Sequence, residues 1–221
     1  MTDIPDISEN PTLSNLSGQV YEYIKRMIMT AKLQMGEVIS EKQIAEKLSV
    51  SRTPIREALQ KLEKDGLVVI EPRRNTKVAS ISLEDKEHIG QIRIQLDVLA
   101  ARLLAEQGSL EDCAALKDIA NRCLMYAEAG DFASCFEMDS LFHCQMAERS
   151  GNPFLADLTR RLDHKVQLLR NLEDVTIEQV KERISLHVPI IQAISRHDAG
   201  NAADLMFSHL SNYYMKNKGK A

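Results

Sequence analysis

The chain has 221 residues and a formal net charge of −4, with 44% hydrophobic and 27% charged residues. This composition is typical of a folded globular protein and excludes wholesale disorder. No apolar run approaches the roughly 18–20 residues of a membrane span, and the polar first residues lack the apolar segment of a secretion signal. We therefore expect a cytoplasmic protein without a membrane partner. Nine glycines, six prolines and no tryptophan favour a mostly helical fold.

Charge is distributed unevenly along the chain and predicts two domains. Residues 20–80 carry a net charge of +4, whereas residues 81–221 carry −5. Only the first of these two regions therefore has the charge expected for binding a polyanion. We predict a flexible polar arm over residues 1–14, a first domain over 15–80 and a second over 81–221. The four cysteines lie in helix-like segments without a C-x-x-C pair, so buried reduced thiols are expected.

The first domain begins with two helices and a tight turn. Apolar residues recur at helical spacing from Leu16, and this helix is predicted to end near Lys32. Ser40 and Gln43 have the spacing of a capping box, which predicts the start of a short second helix. Residues 49–51 then separate this helix from a third one, as in a helix-turn-helix.

The third helix carries arginines at its leading end. Either Ser51 or Thr53 can cap it, and Pro54 is tolerated in its first turn. Arg52 and Arg56 lie four residues apart on one face, where the guanidinium fork can bond both acceptors of a guanine. A solvated helix face would show the same pair, so the arginines alone leave both interpretations open.

A basic hairpin follows the third helix. Residues 67–70 and 76–79 are rich in β-branched side chains and predict two strands. The turn between them, residues 71–75, contains Arg73 and Arg74. Helix, turn, helix and basic hairpin together predict a winged helix-turn-helix that binds double-stranded DNA.

About fifty residues of this domain resemble the GntR family of bacterial transcription regulators. The resemblance is carried by Gly36-Glu37, Ser40-Glu41, Ile44-Ala45-Glu46-Lys47-Leu48, Val50-Ser51-Arg52-Thr53-Pro54-Ile55-Arg56-Glu57-Ala58-Leu59, Leu62 and Asp65-Gly66-Leu67-Val68. Asn75 stands where many members have Gly, and Asn tolerates the left-handed conformation of such a turn. The resemblance implies DNA contacts from Lys42, Ser51, Arg52, Thr53 and Arg56, and from Arg73 and Arg74 at the wing tip.

The second domain is predicted to be an antiparallel bundle of about six helices. Glycine, asparagine and proline breaks separate six helix-like segments with short connections, and no strand pattern occurs between them. Ser82 and Ser109 each start a helix in an S-x-x-D pattern. Pro189 lies inside the fifth segment and is expected to kink it. The segments are 83–106, 110–129, 131–149, 153–171, 176–196 and 199–217.

Four residues of this bundle have the spacing of a metal site. Asp139 and His143 lie four apart on one helix, and His187 and His209 lie equally far from the turn at Asp198. If these helices pack together, three imidazoles and one carboxylate converge, a set that suits Zn²⁺, Ni²⁺ or Mn²⁺. A surface Asp–His pair and a chance spacing are the competing interpretation. The other three histidines are expected at the surface.

This domain resembles the FCD effector domain, which marks the FadR-like branch of GntR regulators. The resemblance is carried by Gln91-Ile92-Arg93, Leu96-Asp97, Ala100-Ala101, Asp139, His143, Arg183, His187, Ile191, Ala193-Ile194, Asp198, Ala202, Met206 and His209-Leu210. It implies that Asp139, His143, His187 and His209 bind a divalent metal ion. It also implies a homodimer on a palindromic operator.

The resemblance further implies a small carboxylate metabolite as effector, bound by Arg93. The competing role for Arg93 is a salt bridge with Asp97 or another acid. A purely structural metal site without an effector is the alternative function. An enzyme is not expected, because no H-E-x-x-H, P-loop or G-x-S-x-G motif occurs.

Overall fold

The computed structural model describes residues 13–71, 75–172 and 174–215, except for the side chains of residues 13–15 and 83. Most of the predicted arm therefore lies outside the described residues, as do the predicted wing-tip arginines Arg73 and Arg74. The chain divides into two compact units, with the boundary between Ile81 and Ser82. Among the described residues, no helix combines the length and apolar character needed to span a membrane.

The first unit is a winged helix-turn-helix, which confirms the predicted fold. In chain order its elements are α1 (Leu13–Met29), β1 (Val38–Ile39), α2 (Glu41–Leu48), α3 (Arg52–Lys64), β2 (Val68–Ile70) and β3 (Thr76–Val78). The three strands form an antiparallel sheet in the order β1-β3-β2. The short strand β1 was not predicted, because two residues are too few for a periodic pattern.

Local hydrogen bonds set the turn of the first unit. The Gln43 N–H donates to Ser40 Oγ and caps α2, as predicted. Ser49 ends α2 with a φ of 53°, a left-handed conformation that redirects the chain toward α3. The apolar face of α3 contributes Ile55, Leu59 and Leu62 to the core, and each of these is almost completely buried. The opposite face of α3 is therefore left exposed.

The second unit is entirely helical in the part that the structure describes. Reciprocal capping boxes at Ser82 and Ser109 confirm two predicted helix starts. Helices α5, α6 and α7 pack in sequence, α8 and α9 pack against α5, and α10 packs against both α9 and α4. They are α4 (Leu83–Gln107), α5 (Leu110–Glu128), α6 (Phe132–Arg149), α7 (Pro153–Arg170), α8 (Ile177–Ser185), α9 (His187–Ser195) and α10 (Ala199–Tyr214).

The predicted fifth helix is divided into α8 and α9, which corrects the expectation of a single kinked helix. Leu186 lies between the two helices. Pro189 has no N–H to donate to the carbonyl of Ser185, and its ring crowds that carbonyl. The helix therefore ends at Ser185, and a new helix begins at His187. This break sets the direction of the His187 side chain.

Candidate functional site

Three buried histidines meet in the second unit. His143 comes from α6, His187 from α9 and His209 from α10. Their candidate ligand nitrogens all lie within 4.8 Å of one another, and each side chain is at most 3% exposed. Two ligands of one metal ion are roughly 3–4 Å apart when the metal–ligand bonds are about 2.1 Å. The structure therefore brings the three predicted histidines to a separation near that of a metal site.

Helix packing and the Pro189 break orient these rings. His187 is the first residue of α9, so the interruption before it sets the direction of its side chain. The Phe142 ring stacks on the His187 ring with 4.0 Å between centroids. The His143 and His209 rings are nearly parallel, with 5.6 Å between centroids. These contacts hold the imidazoles in place without using their nitrogens.

Asp139 adds one carboxylate oxygen to the cluster. Its Oδ1 lies 3.2 Å from His187 Nε2 and 3.8 Å from His143 Nε2. Its other oxygen, Oδ2, accepts a hydrogen bond from Arg170. Arg170 also donates to the Phe136 carbonyl oxygen at 2.7 Å and to Ser140 Oγ at 3.1 Å. Asp139 can therefore offer a ligand through Oδ1 alone.

Burial and neighbouring charges give these groups the protonation that metal ligands need. Burial lowers the pKa of His187 below its ordinary value, although Asp139 opposes this effect. Burial also lowers the pKa of His209, and the two other histidines lower it further. Burial alone would raise the pKa of Asp139, but Arg170 and the histidines hold it well below its usual range. At neutral pH the cluster thus holds neutral imidazoles at these two positions and one carboxylate.

The residues present fit a divalent cation. Within the described ranges, Asp139 Oδ1, His209 Nδ1 and both ring nitrogens of His187 are buried without a hydrogen bond. Such groups are costly to bury unless a partner satisfies them, and a metal ion would satisfy several at once. On the far side of the cluster, His143 Nδ1 lies 3.0 Å from Asp97 Oδ2. A carboxylate behind an imidazole is the usual support of a metal-binding histidine.

Arg93 reaches the same region from α4. Its Nε donates to Asp97 Oδ2 at 3.2 Å, and its Nη1 donates to the Tyr214 hydroxyl at 3.1 Å. The pairing with Asp97 is the competing role foreseen for Arg93. Its Nη2 is nevertheless buried without a hydrogen-bond partner in the described structure. A narrow crevice beside it, which has no room for a water molecule in this structure, is lined by Arg93, Leu96, Asp97, His143, Thr159, Leu162 and Asp163.

In the first unit, the predicted DNA-contacting residues share the exposed start of α3. Ser51 occupies the N-cap position without a side-chain capping hydrogen bond. Ser51, Arg52 and Thr53 are all exposed, and α3 is anchored through buried residues of its other face such as Ile55. Their polar groups are therefore free to face an external partner.

Two further basic residues of this unit have acidic neighbours. Arg56 Nε lies 3.1 Å from Glu41 Oε2, and Lys42 Nζ lies 3.8 Å from Glu46 Oε1. Arg56 and Lys42 remain largely exposed, so these ion pairs are worth little and can be exchanged for another anion. An open groove is lined by Arg56 of α3 and by Asn75, which directly precedes β3.

The sequence did not reveal every residue around the histidine cluster. Arg170 ends α7 and Phe142 lies on α6, and neither has a local pattern that links it to the histidines. Asp97 was foreseen only as a salt-bridge partner of Arg93, and its contact with His143 was missed. His164 is buried and not at the surface as expected, since α7 packs against both α4 and α6. His88 and His197 are exposed, as expected.

Two protein families match the chain. The sequence model of the FCD domain matches residues 88–212, which is more than half of the chain. The model described as "Bacterial regulatory proteins, gntR family" matches residues 16–78. The two matches fall in the second and the first unit, respectively.

Similar proteins come from several bacteria. HTH-type transcriptional regulator YdhC of Bacillus subtilis is 26% identical, over 87% of each chain. HTH-type transcriptional repressor RspR of Escherichia coli is 26% identical, over 91% of this chain and 88% of RspR. The solved structure of E. coli McbR/YncC shares the fold, with a TM-score of 0.78 and 23% identity over 90% of this chain and 94% of that chain. The matched families and relatives are transcription regulators and not enzymes, as expected from the sequence.

Proposed function

The chain belongs to the GntR family of bacterial regulatory proteins, in the branch with an FCD domain, and we propose that a small carboxylate metabolite controls its binding to DNA. It is a DNA-binding transcription regulator. In our proposal the first unit binds a palindromic operator as half of a homodimer, and the second unit binds a divalent metal ion together with the metabolite. Such a regulator acts in the cytoplasm, where the bacterial chromosome lies.

The exposed start of α3 supports the DNA-binding role of the first unit. A recognition helix enters the major groove with its N-terminal residues at the base edges. Arg52 and Arg56 supply guanidinium groups for guanine, while Ser51 and Thr53 supply hydroxyls for phosphates or bases. Lys42 on the preceding helix suits a backbone phosphate. Arg73 and Arg74, which lie outside the described residues, are proposed from the sequence to contact the adjacent minor groove.

Replacing Arg52 by alanine tests this interface. We expect Arg52→Ala to weaken operator binding by about 1–3 kcal/mol, because the arginine is proposed to bond a base directly. The operator is one selected by the purified protein from random duplexes, and affinity is measured at physiological salt. Lys64→Ala is the matched control, since Lys64 is an exposed cation at the opposite end of the same helix. Equal affinities for Arg52→Ala and Lys64→Ala would contradict the proposed interface.

The observation that carries the proposed metal site is the convergence of three buried imidazoles, whose candidate ligand nitrogens lie within 4.8 Å of one another, with Asp139 Oδ1 beside them. Asp139, His143, His187 and His209 would hold the ion, with Asp139 binding through Oδ1. Zn²⁺, Ni²⁺ and Mn²⁺ all suit three nitrogens and one oxygen. A bound divalent ion with an open coordination position would supply an electrophilic site for a carboxylate.

Arg93 gives the effector its second anchor. Its unpartnered Nη2 and the His143 ring line the same crevice, so a small acid that opens this crevice would meet both the guanidinium and the metal position. Binding at this point would involve α4, α6 and α7 together. In our proposal the metabolite binds one arrangement of the dimer more tightly than the other and thereby shifts operator affinity.

A thermal-shift screen of small carboxylic acids, with and without chelator, tests the effector site. A metal ion at 100 times its dissociation constant stabilises the folded state by about 2.7 kcal/mol. We expect an acid that raises the melting temperature only when metal is present. His187→Ala should abolish both the metal shift and the acid shift while sparing DNA binding. His88→Ala, which changes an exposed histidine of α4, should preserve both shifts.

Complete burial of the cluster favours a second candidate, a metal site that is only structural. His187 is 0% exposed, and the crevice beside the cluster is small. In that case the chelator would lower the melting temperature strongly, yet no acid would change either melting or operator affinity. The same screen therefore separates the two functions.

A further inference from the structure

Two buried thiols meet outside the histidine cluster. Cys123 of α5 and Cys135 of α6 have their Sγ atoms 3.6 Å apart, and both side chains are 0% exposed. The Cys123 thiol also donates to the Cys135 carbonyl oxygen at 3.2 Å. The sulfurs belong to different helices of one hairpin, so closing them into a bond would join two elements.

We propose that Cys123 and Cys135 are a redox-active pair that a peroxide converts into a reversible intramolecular disulfide. The S–S bond is about 2.05 Å long, so the sulfurs must approach by about 1.5 Å. In our proposal, rotation of the two cysteine side chains and a shift of one helix supply this approach. This inference goes beyond the proposed function, since the pair contacts neither DNA nor the effector crevice.

The chemistry needs only the peroxide as oxidant. The Cys135 thiolate attacks one peroxide oxygen and becomes a sulfenic acid, and the other oxygen leaves as hydroxide, which takes up a proton to become water. Cys123 loses its proton, attacks the sulfenic sulfur and displaces hydroxide, which takes up that proton and leaves as a second water. Two thiols are oxidised to one disulfide, and hydrogen peroxide is reduced to two waters. The hydrogen bond with Cys123 lowers the pKa of Cys135, in spite of its burial, which favours Cys135 as the attacking thiol.

Helix α8 determines how an oxidant reaches the pair. The two buried side chains of α8, Val180 and Ile184, pack over the thiols. A nine-residue helix with so small a share of the core can separate locally at low cost. Local opening of α8 would expose both sulfurs while the rest of the bundle stays folded.

The pair is also linked to the proposed metal site. Cys135 and Asp139 lie one turn apart on α6, and the intervening Phe136 carbonyl accepts a hydrogen bond from Arg170, which also holds Asp139. A shift of α6 at Cys135 would therefore disturb the hydrogen bonds of the Arg170 guanidinium, because its acceptors on Phe136, Asp139 and Ser140 all belong to α6. We expect the disulfide to lower metal affinity about 10- to 100-fold, as loss of support for a metal ligand does. This second effect rests on the proposed metal function, whereas disulfide formation does not.

Oxidation of a Cys113→Ser, Cys144→Ser variant tests the pair without interference from the other thiols. After peroxide treatment and alkylation, mass spectrometry should find a linked Cys123–Cys135 peptide that a dithiol reductant separates again. The same peroxide treatment and peptide analysis are applied to the wild-type protein, so that the test remains possible if the variant does not fold. Persistence of both free thiols, or oxidation to sulfinic acid without a linked peptide, would overturn the redox pair.

The metal titration is then repeated on reduced and oxidised protein, with Zn²⁺ as the probe and the melting temperature as readout. A smaller Zn²⁺-induced shift after oxidation, restored by the reductant, supports the link to Asp139. Cys123→Ser protein is the matched control, because it keeps Cys135 but cannot form the bond. Equal Zn²⁺ shifts in both redox states would overturn the link and leave the disulfide itself standing. If reduced protein shows no Zn²⁺ shift, the metal site fails independently of the thiol pair.

Discussion

The two units hold their charged side chains under opposite conditions. In the first, Arg52 and Arg56 project from an exposed helix start, where water solvates them before any partner arrives. In the second, Arg170 pairs with Asp139 and Arg93 pairs with Asp97, and all four side chains are buried. Exposed charges cost the fold little, whereas buried charges must be paired. Binding and stability are therefore separable in the first unit and coupled in the second.

This difference also explains how a ligand could influence the second unit. The buried histidines and Asp139 come from α6, α9 and α10, so a partner that satisfies them ties three helices together. An anion bound at α3 would meet residues of a single helix start. The second unit is therefore the one in which binding can change the packing of the chain.

Breaking the buried ion pair should have the largest effect on stability. Arg170→Ala leaves the Asp139 carboxylate buried without its cation, and we expect a loss of about 3–5 kcal/mol in the metal-free protein. Arg160→Ala is the matched control on the same helix, because Arg160 pairs with Glu148 at an exposed position. That control should cost less than about 1 kcal/mol. The free energy of unfolding is measured in urea with chelator present, and similar losses for both variants would refute the contrast between buried and exposed pairs.

The first unit was predictable from sequence because its signals are local. The cap at Ser40, the residues between α2 and α3 and the exposed Arg52 all follow from neighbours within a few positions. Strand β1 was missed, since it exists only through pairing of Ile39 with Thr76 on a distant strand. Propensity over two residues cannot predict such a pairing.

The second unit was predictable only in its helices and ligand spacing. Asp139 and His143 share a helix, and the equal distances of His187 and His209 from one turn anticipated their approach. The role of Arg170 was not predictable, because it arises when α7 packs against α6. Pro189 predicted a disturbance, but whether a helix bends or ends at a proline depends on the packing of each half.

Two glycine-to-alanine substitutions, one in each unit, test how closely the helices are packed. An alanine Cβ at Gly90 would lie 2.5 Å from Tyr214 Cβ, so α10 would have to move away from α4. We expect Gly90→Ala to cost about 1–3 kcal/mol. Gly18 lies in α1 with nothing within 4 Å of the added atom. Gly18→Ala should therefore stabilise the protein by about 0.5–1 kcal/mol through helix propensity alone.

The free energies of unfolding of the two variants are compared by urea titration, with separate probes for each unit. Gly90→Ala should also disturb the bond between Arg93 and the Tyr214 hydroxyl, since the whole of Tyr214 is displaced. A neutral or stabilising Gly90→Ala would mean that α4 and α10 are not packed as closely as described.

The smallest expected effect on stability concerns two helix caps, one in each unit. The cap of α5 contains an ionisable carboxylate, whereas the cap of α2 does not. Ser109 Oγ accepts from the Asp112 N–H at 3.1 Å, and the Ser109 N–H donates to Asp112 Oδ2 at 2.9 Å. The Ser109 N–H and hydroxyl both donate to the Asp112 carboxylate and, together with Arg149, lower its pKa from 3.8 to about 2. The stabilisation from the ionised carboxylate is therefore complete above pH 4 and is lost as the pH falls through 2. Ser109→Ala should cost about 1 kcal/mol at pH 7.

Ser40→Ala in the first unit provides the comparison without a titrating partner. Ser40 caps α2 by accepting from the Gln43 N–H, and Gln43 does not ionise. We expect a similar cost of about 1 kcal/mol that stays constant between pH 7 and 3, whereas the cost of Ser109→Ala shrinks over the same range. Urea unfolding of both variants across this range measures the difference. A local carboxylate can make the cost of one substitution depend on pH and leave the cost of the other unchanged. If both costs changed with pH in the same way, the net charge of the whole protein would be the cause, and the proposed role of Asp112 would be refuted.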